Sequence, residues 1–265
     1  NTSQVFACDN PRSDPKKDLV IHMSKNPTPT IVVPARLASS RFPKKLLADA
    51  GGMPLILRTA NRLRNQVPEY DLVFAVDGEE IAQPLKQEGY TCIFTDPDLA
   101  SGTDRVAQAN KILQRDEILN VQADEPMVMR EHILALDKAL KRKGADLATL
   151  AAPFEKNEDF QDPNQVKVVL SLSGFALFFS RAQIPYDREH AGVVGQNCYK
   201  HLGMYGYRGE FLNEFASLPL GCLEGLEKLE QLRALENGKY ISVEIVKNGT
   251  YGVDTPQDLA GLSFS

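Results

Sequence analysis

Two adjacent acids, Asp124 and Glu125, end the stretch Ile118-Leu119-Asn120-Val121-Gln122-Ala123 and are closed off by Pro126. A short apolar run followed by a ladder-breaking proline reads as a buried strand, which puts both acids at its C-terminal end. An open α/β sheet collects its ligands at that end, and hard oxygen donors there suit Mg²⁺ held together with substrate phosphates. Taken alone, the segment reads more simply as a strand ending in a solvated acidic turn. A second stretch changes the balance. The strand candidate Thr30–Pro34 runs directly into a loop carrying Arg36, Arg41, Lys44 and Lys45, with Ser39 and Ser40 among them. Arginine forks take phosphate oxygens two at a time and lysine adds a movable point charge, so a cluster this compact fits a nucleoside triphosphate better than a merely exposed loop. The loop contains no G-x-x-x-x-G-K-[ST] and no G-x-G-x-x-G, so it is neither a P-loop nor a dinucleotide fingerprint. A third acid, Asp254, precedes Thr255-Pro256-Gln257-Asp258. Thr255 as N-cap, Pro256 at N1 and Asp258 at N3 start a helix, with Asp254 just outside it. Capping alone explains that motif, and spacing leaves the role of Asp254 open.

The elements that must position these residues alternate. Apolar periodicity predicts helices over Leu55–Leu63, Glu80–Glu88 and Glu131–Lys143, and strands over Leu72–Val76, Thr91–Thr95 and Leu147–Pro153. That rhythm implies a parallel sheet with right-handed crossovers. Asp77, at a strand end, reads as a turn residue. Ser101-Gly102-Thr103-Asp104-Arg105 opens another helix, where Gly102 permits close backbone approach to a ligand and Ser101 or Thr103 serves as cap. The character then changes. Val166–Leu170 and Phe175–Phe179 read as a hairpin, Glu189–Gln196 as a mobile loop, and Tyr199–Arg208 as a strand with His201 near its start. A lone histidine is usually structural, but Arg181, Arg188 and Lys200 nearby in the chain raise the case for an acidic-ligand pocket. Glu224–Asn237 carries Leu226, Leu229, Leu232 and Leu235 at threes, an amphipathic helix ended by Gly238.

Bulk properties narrow the class. The chain has 265 residues, 43% of them hydrophobic, enough for a sizeable core. A net charge of −5 argues against a nonspecific nucleic-acid footprint. Cys8, Cys92, Cys198 and Cys222 are widely separated, which suits reduced thiols in the cytoplasm and neither a zinc knuckle nor a disulfide frame. No apolar run is long enough to span a membrane. Residues 1–29 are polar and aperiodic, and read as a disordered tail or as one appended to the native chain; residues 30–265 read as one domain.

Five motifs occurring in order resemble one family. They are the Pro34-Ala35-Arg36…Ser39…Arg41…Pro43…Lys45 loop, Ser101-Gly102-Thr103-Asp104-Arg105, Gln122-Ala123-Asp124-Glu125-Pro126, His201-Leu202-Gly203-Met204-Tyr205-Gly206-Tyr207-Arg208, and Gly252-Val253-Asp254-Thr255-Pro256. Together with Leu229-Glu230-Gln231-Leu232-Arg233 they are similar to the 3-deoxy-manno-octulosonate (Kdo) cytidylyltransferases over roughly Ile31–Leu259. The resemblance implies a Rossmann-like α/β nucleotide-diphospho-sugar transferase fold, a mostly parallel sheet flanked by helices. A β-rich insertion over 160–225 would form the sugar site and a homodimer seam. The implied reaction is CTP plus Kdo giving CMP-Kdo and diphosphate, with Mg²⁺, for lipopolysaccharide biosynthesis. Carried onto this chain, Arg36, Arg41 and Lys45 would hold the triphosphate, and Ser101 and Arg105 the cytidine and its neighbourhood. Asp124 and Asp254 would ligate the metal. Gln122, Arg181, His201, Tyr205, Glu230 and Gln231 would face the sugar acid. Ala123 and Lys44 each stand where the family usually has glycine. Gly221–Gly225 departs from the family's usual stretch beside the sugar site, which leaves an amino-substituted octulosonate or a sialic acid open as acceptor. A nucleotide-binding homologue without catalysis is the remaining alternative.

Overall fold

The computed structural model describes residues 28–39, 42–154, 160–189 and 198–262. Arg41, nearly all of the polar tail and most of the Glu189–Gln196 segment lie outside them. Strands β1 (Thr30–Ala35), β2 (Leu72–Val76), β3 (Thr91–Phe94) and β4 (Glu117–Asn120) alternate with helices α1 (Leu55–Gln66), α2 (Glu79–Gln87) and α3 (Gly102–Leu113). Then follow α4 (Arg130–Leu140), β5 (Leu147–Pro153), β6 (Lys167–Leu170), β7 (Ala176–Ser180) and β8 (Tyr199–Arg208). The chain closes with α5 (Gly209–Ser217), α6 (Cys222–Glu227), α7 (Gln231–Glu236), β9 (Ile241–Ile245) and α8 (Pro256–Gly261).

Among the described residues all nine strands join one sheet, in the order β3-β2-β1-β4-β8-β5-β9, with β6 on β8 and β7 on β6. β1 to β4 pair in parallel, as the alternation predicts. β8 then enters antiparallel between β4 and β5. Periodicity predicts β8 as a strand but carries no information on which neighbours it separates. Packing is close where it enters. A Cβ on Gly206 would lie 3.3 Å from Leu140 Cβ, 3.4 Å from Ala148 Cβ and 3.4 Å from Leu119 Cδ2, so α4 and the flanking strands would have to yield by a few tenths of an ångström to admit a side chain there.

The sheet is buried on both faces, as expected for crossover connections. Along β1, Ile31, Val33 and Ala35 join the core beneath α1 and α4, while Val32 joins the core beneath α3 and α5. β2 divides the same way, with Phe74 and Val76 on one face and Val73 and Ala75 on the other. Each fully buried valine, isoleucine or phenylalanine among these contributes about 1.5–3 kcal/mol of transfer free energy.

The leucine stripe over Glu224–Asn237 does not form one helix. It breaks at Lys228, which takes left-handed dihedrals (φ 54°, ψ 45°) between α6 and α7. The break is held from outside the segment. Arg181 donates from Nε to the Glu227 carbonyl at 2.7 Å and from Nη2 to the Lys228 carbonyl at 3.4 Å. The Glu227 carboxylate accepts from Ser180 Oγ at 2.6 Å and from the Arg181 N–H at 2.9 Å. Leu229 and Leu232 are buried, whereas Leu226 is exposed.

Candidate active site

The C-terminal ends of β1 and β4 and the 252–254 turn surround a cleft of about 280 Å³. Arg36, Lys45, Arg105, Gln122, Asp124 and Asp254 all line it, and Gly102 closes one side. Local structure explains each placement. After β4, Val121 N–H still reaches the Val32 carbonyl at 3.3 Å, and the chain then turns, with Glu125 N–H on the Gln122 carbonyl at 3.3 Å. The hydroxyl of Thr59, inside α1, donates to the Ala123 carbonyl at 2.8 Å. Val253 N–H donates to the Asp124 carbonyl at 2.9 Å. That last bond brings the second aspartate alongside the first, although the two are 130 positions apart in sequence. The Ala123 methyl is accommodated: the residue is buried within the core under α1.

The basic loop is tied down by Asp77, whose Oδ2 accepts the Leu37 N–H at 2.9 Å. Asp77 is thus more than a turn residue, and its position at the end of β2 is the sequence signal that marks it. Lys44 and Lys45 diverge because Lys44 takes left-handed dihedrals (φ 54°, ψ 30°) before a short 3₁₀ turn, Lys45–Leu47. Lys44 points outward to Glu80 at 2.6 Å. Lys45 points inward, its Nζ 2.5 Å from Asp124 Oδ2 and 3.3 Å from Asp254 Oδ1.

Those contacts test the donor set for a divalent cation. Two carboxylates already converge on one positive centre, so the position accepts a cation. Among the described residues no three His, Cys, Asp or Glu side chains assemble into a metal cage. Two carboxylates with further oxygens from a phosphorylated ligand is the way Mg²⁺ is usually held, and Asp124 and Asp254 fit it. Glu125, next in the chain, does not line the cleft. Burial, with the Asp124 charge adding to it, pushes its carboxyl up to about 7; it bonds Thr250, and its Oε2 is buried without a partner among the described residues.

Arg105 is almost wholly buried; it bonds Thr95 Oγ1 through Nη1, and its Nη2 has no partner among the described residues. Burial lowers its pKa, with the neighbouring Arg36 adding to that and Asp77 opposing it. An unsatisfied buried donor at a cleft wall is a natural contact for a ligand carbonyl or phosphate oxygen.

A second cluster lies beside the cleft. Ser101 caps α3 by accepting Asp104 N–H at 3.1 Å, and its hydroxyl also donates to Glu230 Oε1 at 3.1 Å. Thr103 Oγ1 donates to Glu230 Oε2 at 2.9 Å. Burial raises the Glu230 carboxyl pKa, against the lowering effect of those two hydroxyls. Tyr205 donates to Gln231 Oε1 at 3.1 Å, leaving Gln231 Nε2 buried without a partner among the described residues. His201 sits 2.8 Å from Thr149 Oγ1, with its ring against Phe179 and Tyr205. Ser101 therefore both caps α3 and holds Glu230, and Gly102 rather than Ser101 lines the cleft. Ser101→Ala should lower stability by about 1 kcal/mol, the usual worth of an N-cap. Urea unfolding checks this, with Ser101→Thr expected to recover most of that loss.

Burial holds His201 down to about 3. It is therefore neutral at physiological pH, and its C2–H NMR resonance should not move between pH 5 and 8. A titration midpoint near 6.5 would contradict its burial. Two of the three cations that the sequence suggests for this neighbourhood are turned elsewhere. Lys200 alternates to the other face, its Nζ 5.4 Å from the Tyr251 ring centre. Arg181 commits its guanidinium to the carbonyls of Pro163, Glu227 and Lys228 and does not line the cleft.

Comparison with known proteins agrees with this geometry. A sequence model described as cytidylyltransferase matches residues 30–241. The 3-deoxy-manno-octulosonate cytidylyltransferase of Syntrophobacter fumaroxidans is 45% identical over 235 residues, 87% of this chain and 94% of that one. Its namesake from Acidobacterium capsulatum is 42% identical over 231 residues, 87% and 93% of the two chains. A solved CMP:2-keto-3-deoxy-manno-octonic acid synthetase complexed with CTP superposes with a TM-score of 0.81 at 35% identity, covering 88% of this chain and 95% of that one. The fold and the cleft define a nucleotidyltransferase of the nucleotide-diphospho-sugar transferase type. Within that class, the chain belongs to the 3-deoxy-manno-octulosonate cytidylyltransferase family.

Proposed function

We propose that this chain transfers CMP from CTP to Kdo, giving CMP-Kdo and diphosphate with Mg²⁺ as cofactor, in the cytoplasm and for lipopolysaccharide assembly. The observation that carries the reading is the meeting of Asp124 and Asp254 around one positive centre, within a cleft that Arg36 also lines. The anomeric hydroxyl of the sugar acid attacks the α-phosphorus in line. The O–P bond forms as the hydroxyl proton passes to solvent and the bridging bond to the β-phosphate breaks, diphosphate carrying away the bonding pair, so the chain needs no covalent nucleophile. Its work is positioning and charge neutralisation. Arg36, Arg41 and Lys45 offset charge on the departing diphosphate, and Arg105 and Gly102 flank the nucleoside. Gln122, Tyr205, Glu230 and Gln231 offer hydrogen-bond partners to the sugar hydroxyls, with neutral His201 beside them. Mg²⁺ held by Asp124 and Asp254 would supply Lewis-acid stabilisation of the phosphoryl oxygens.

The test is diphosphate release from CTP with Kdo, its 8-amino analogue and a sialic acid in parallel. Kdo should give the largest kcat/KM, by roughly 10-fold or more, a margin within reach of pocket contacts. CTP binding without diphosphate release from any acceptor would leave only a nucleotide-binding homologue. We also propose a homodimer. Leu172 and Leu177 are exposed on the β6–β7 hairpin, with Tyr240 lining the same hollow as Leu177. Light scattering should give twice the mass of one chain.

A further inference from the structure

The contact between Lys45 and the two aspartates carries a consequence for how ligands enter. We propose that Lys45 is a resident counter-ion whose displacement couples divalent-cation binding to nucleotide binding. This rests on the cation and nucleotide reading above and extends it to the order and linkage of binding. Three observations support it. The ammonium bridges Asp124 Oδ2 at 2.5 Å and Asp254 Oδ1 at 3.3 Å, the place a cation shared by those carboxylates must take. The lysine side chain is 11% exposed, against 25% and 51% for the aspartates, so it is the most enclosed member of the trio. Lys44 next to it is committed to Glu80 and to solvent, so the inward turn belongs to Lys45 alone.

A cation approaching the nucleotide-free cleft must expel the ammonium, and the expelled charge loses two charge-assisted partners inside a partly enclosed site. Without an anion to receive Lys45 that exchange is unfavourable. A triphosphate beside Arg36 supplies the receiving oxygens, and lysine's flexible stem can follow them. Cation and nucleotide then each raise the other's affinity by one common factor, as linkage requires. Lys45 is the element with two arrangements.

The experiment is a Mn²⁺ titration of the whole chain followed by EPR, with and without saturating CTP and corrected for the Mn²⁺–CTP complex. Wild type, Lys45→Met, Lys45→Gln and Asp124→Asn are compared, with unfolding midpoints confirming that each variant is folded. Wild type should bind Mn²⁺ at least about 10-fold more tightly when CTP is present, within the usual range of coupling. Lys45→Met and Lys45→Gln should bind nucleotide-free Mn²⁺ about 10-fold more tightly than wild type, with the coupling to CTP correspondingly smaller, what is left being the phosphate oxygens' own ligation of the cation. No gain in nucleotide-free affinity in either neutral variant overturns the proposal. A gain of equal size with and without CTP also overturns it, because that is charge repulsion and not exchange. If wild type binds no Mn²⁺ even with CTP, or Asp124→Asn binds it equally well, the cation site itself is misassigned, which is a different failure.

Discussion

Replacing Asp124 by asparagine is expected to lower kcat/KM by roughly 10²–10³-fold, the scale seen when one preorganised charge-stabilising group is removed. The fold should persist. Asparagine keeps the shape, the side chain is a quarter exposed, and the local turn is held by backbone and Thr59 contacts that the substitution leaves in place. Asp254→Asn should behave alike, since both carboxylates address the same centre. The double variant should lose little more than either single one, because residues that act as a unit are not additive. Steady-state diphosphate release across a range of Mg²⁺ concentrations makes the measurement. Wild-type kcat/KM in Asp124→Asn would remove the metal assignment and most of the mechanism with it.

What the sequence disclosed and what it hid divide along physical lines. Patterns local in the chain were legible: the alternating strands and helices, the Thr255–Asp258 capping box, and the basic loop after β1. The closure of Asp254 onto Asp124 is carried by contacts between distant segments, among them Val253 N–H to the Asp124 carbonyl and the Lys45 bridge, and no spacing rule reports such contacts. Lys45 and Lys44 look interchangeable in sequence; a left-handed residue sends one inward and the other to solvent. The 3-residue leucine spacing suggested a continuous helix over Glu224–Asn237. Arg181, from a different part of the chain, stabilises the break at Lys228. Thr59 and Thr149 sit within regular elements whose local pattern gives no hint that their hydroxyls brace the site. Glu125 resembles a second ligand because it follows Asp124, yet its orientation removes it from the cation position.

That orientation has a measurable consequence for stability. Burial first, and the Asp124 charge second, raise Glu125 from 4.5 to about 7. Between those values the folded protein holds a proton that the unfolded chain has released. The stability contributed by this group is therefore fully present below pH 4.5 and is lost as pH rises through 7. Carrying the carboxyl from 4.5 to about 7, at about 1.4 kcal/mol for each tenfold change in proton affinity, amounts to about 3 kcal/mol. Glu125→Gln keeps a side chain able to bond Thr250 and removes the ionisation. Urea unfolding at pH 5 and pH 8 separates the two proteins. They should differ little at pH 5, and the variant should be the more stable by about 3 kcal/mol at pH 8. Parallel pH dependences would mean that Glu125 ionises in the folded protein as it does in the unfolded chain. In either state Glu125 stays off the cleft lining, which leaves Asp124 and Asp254 as the acids that a cation there must satisfy. A Cβ on Gly252 would lie 3.4 Å from Glu125 Oε1, so the turn that carries Asp254 passes close over this buried carboxyl.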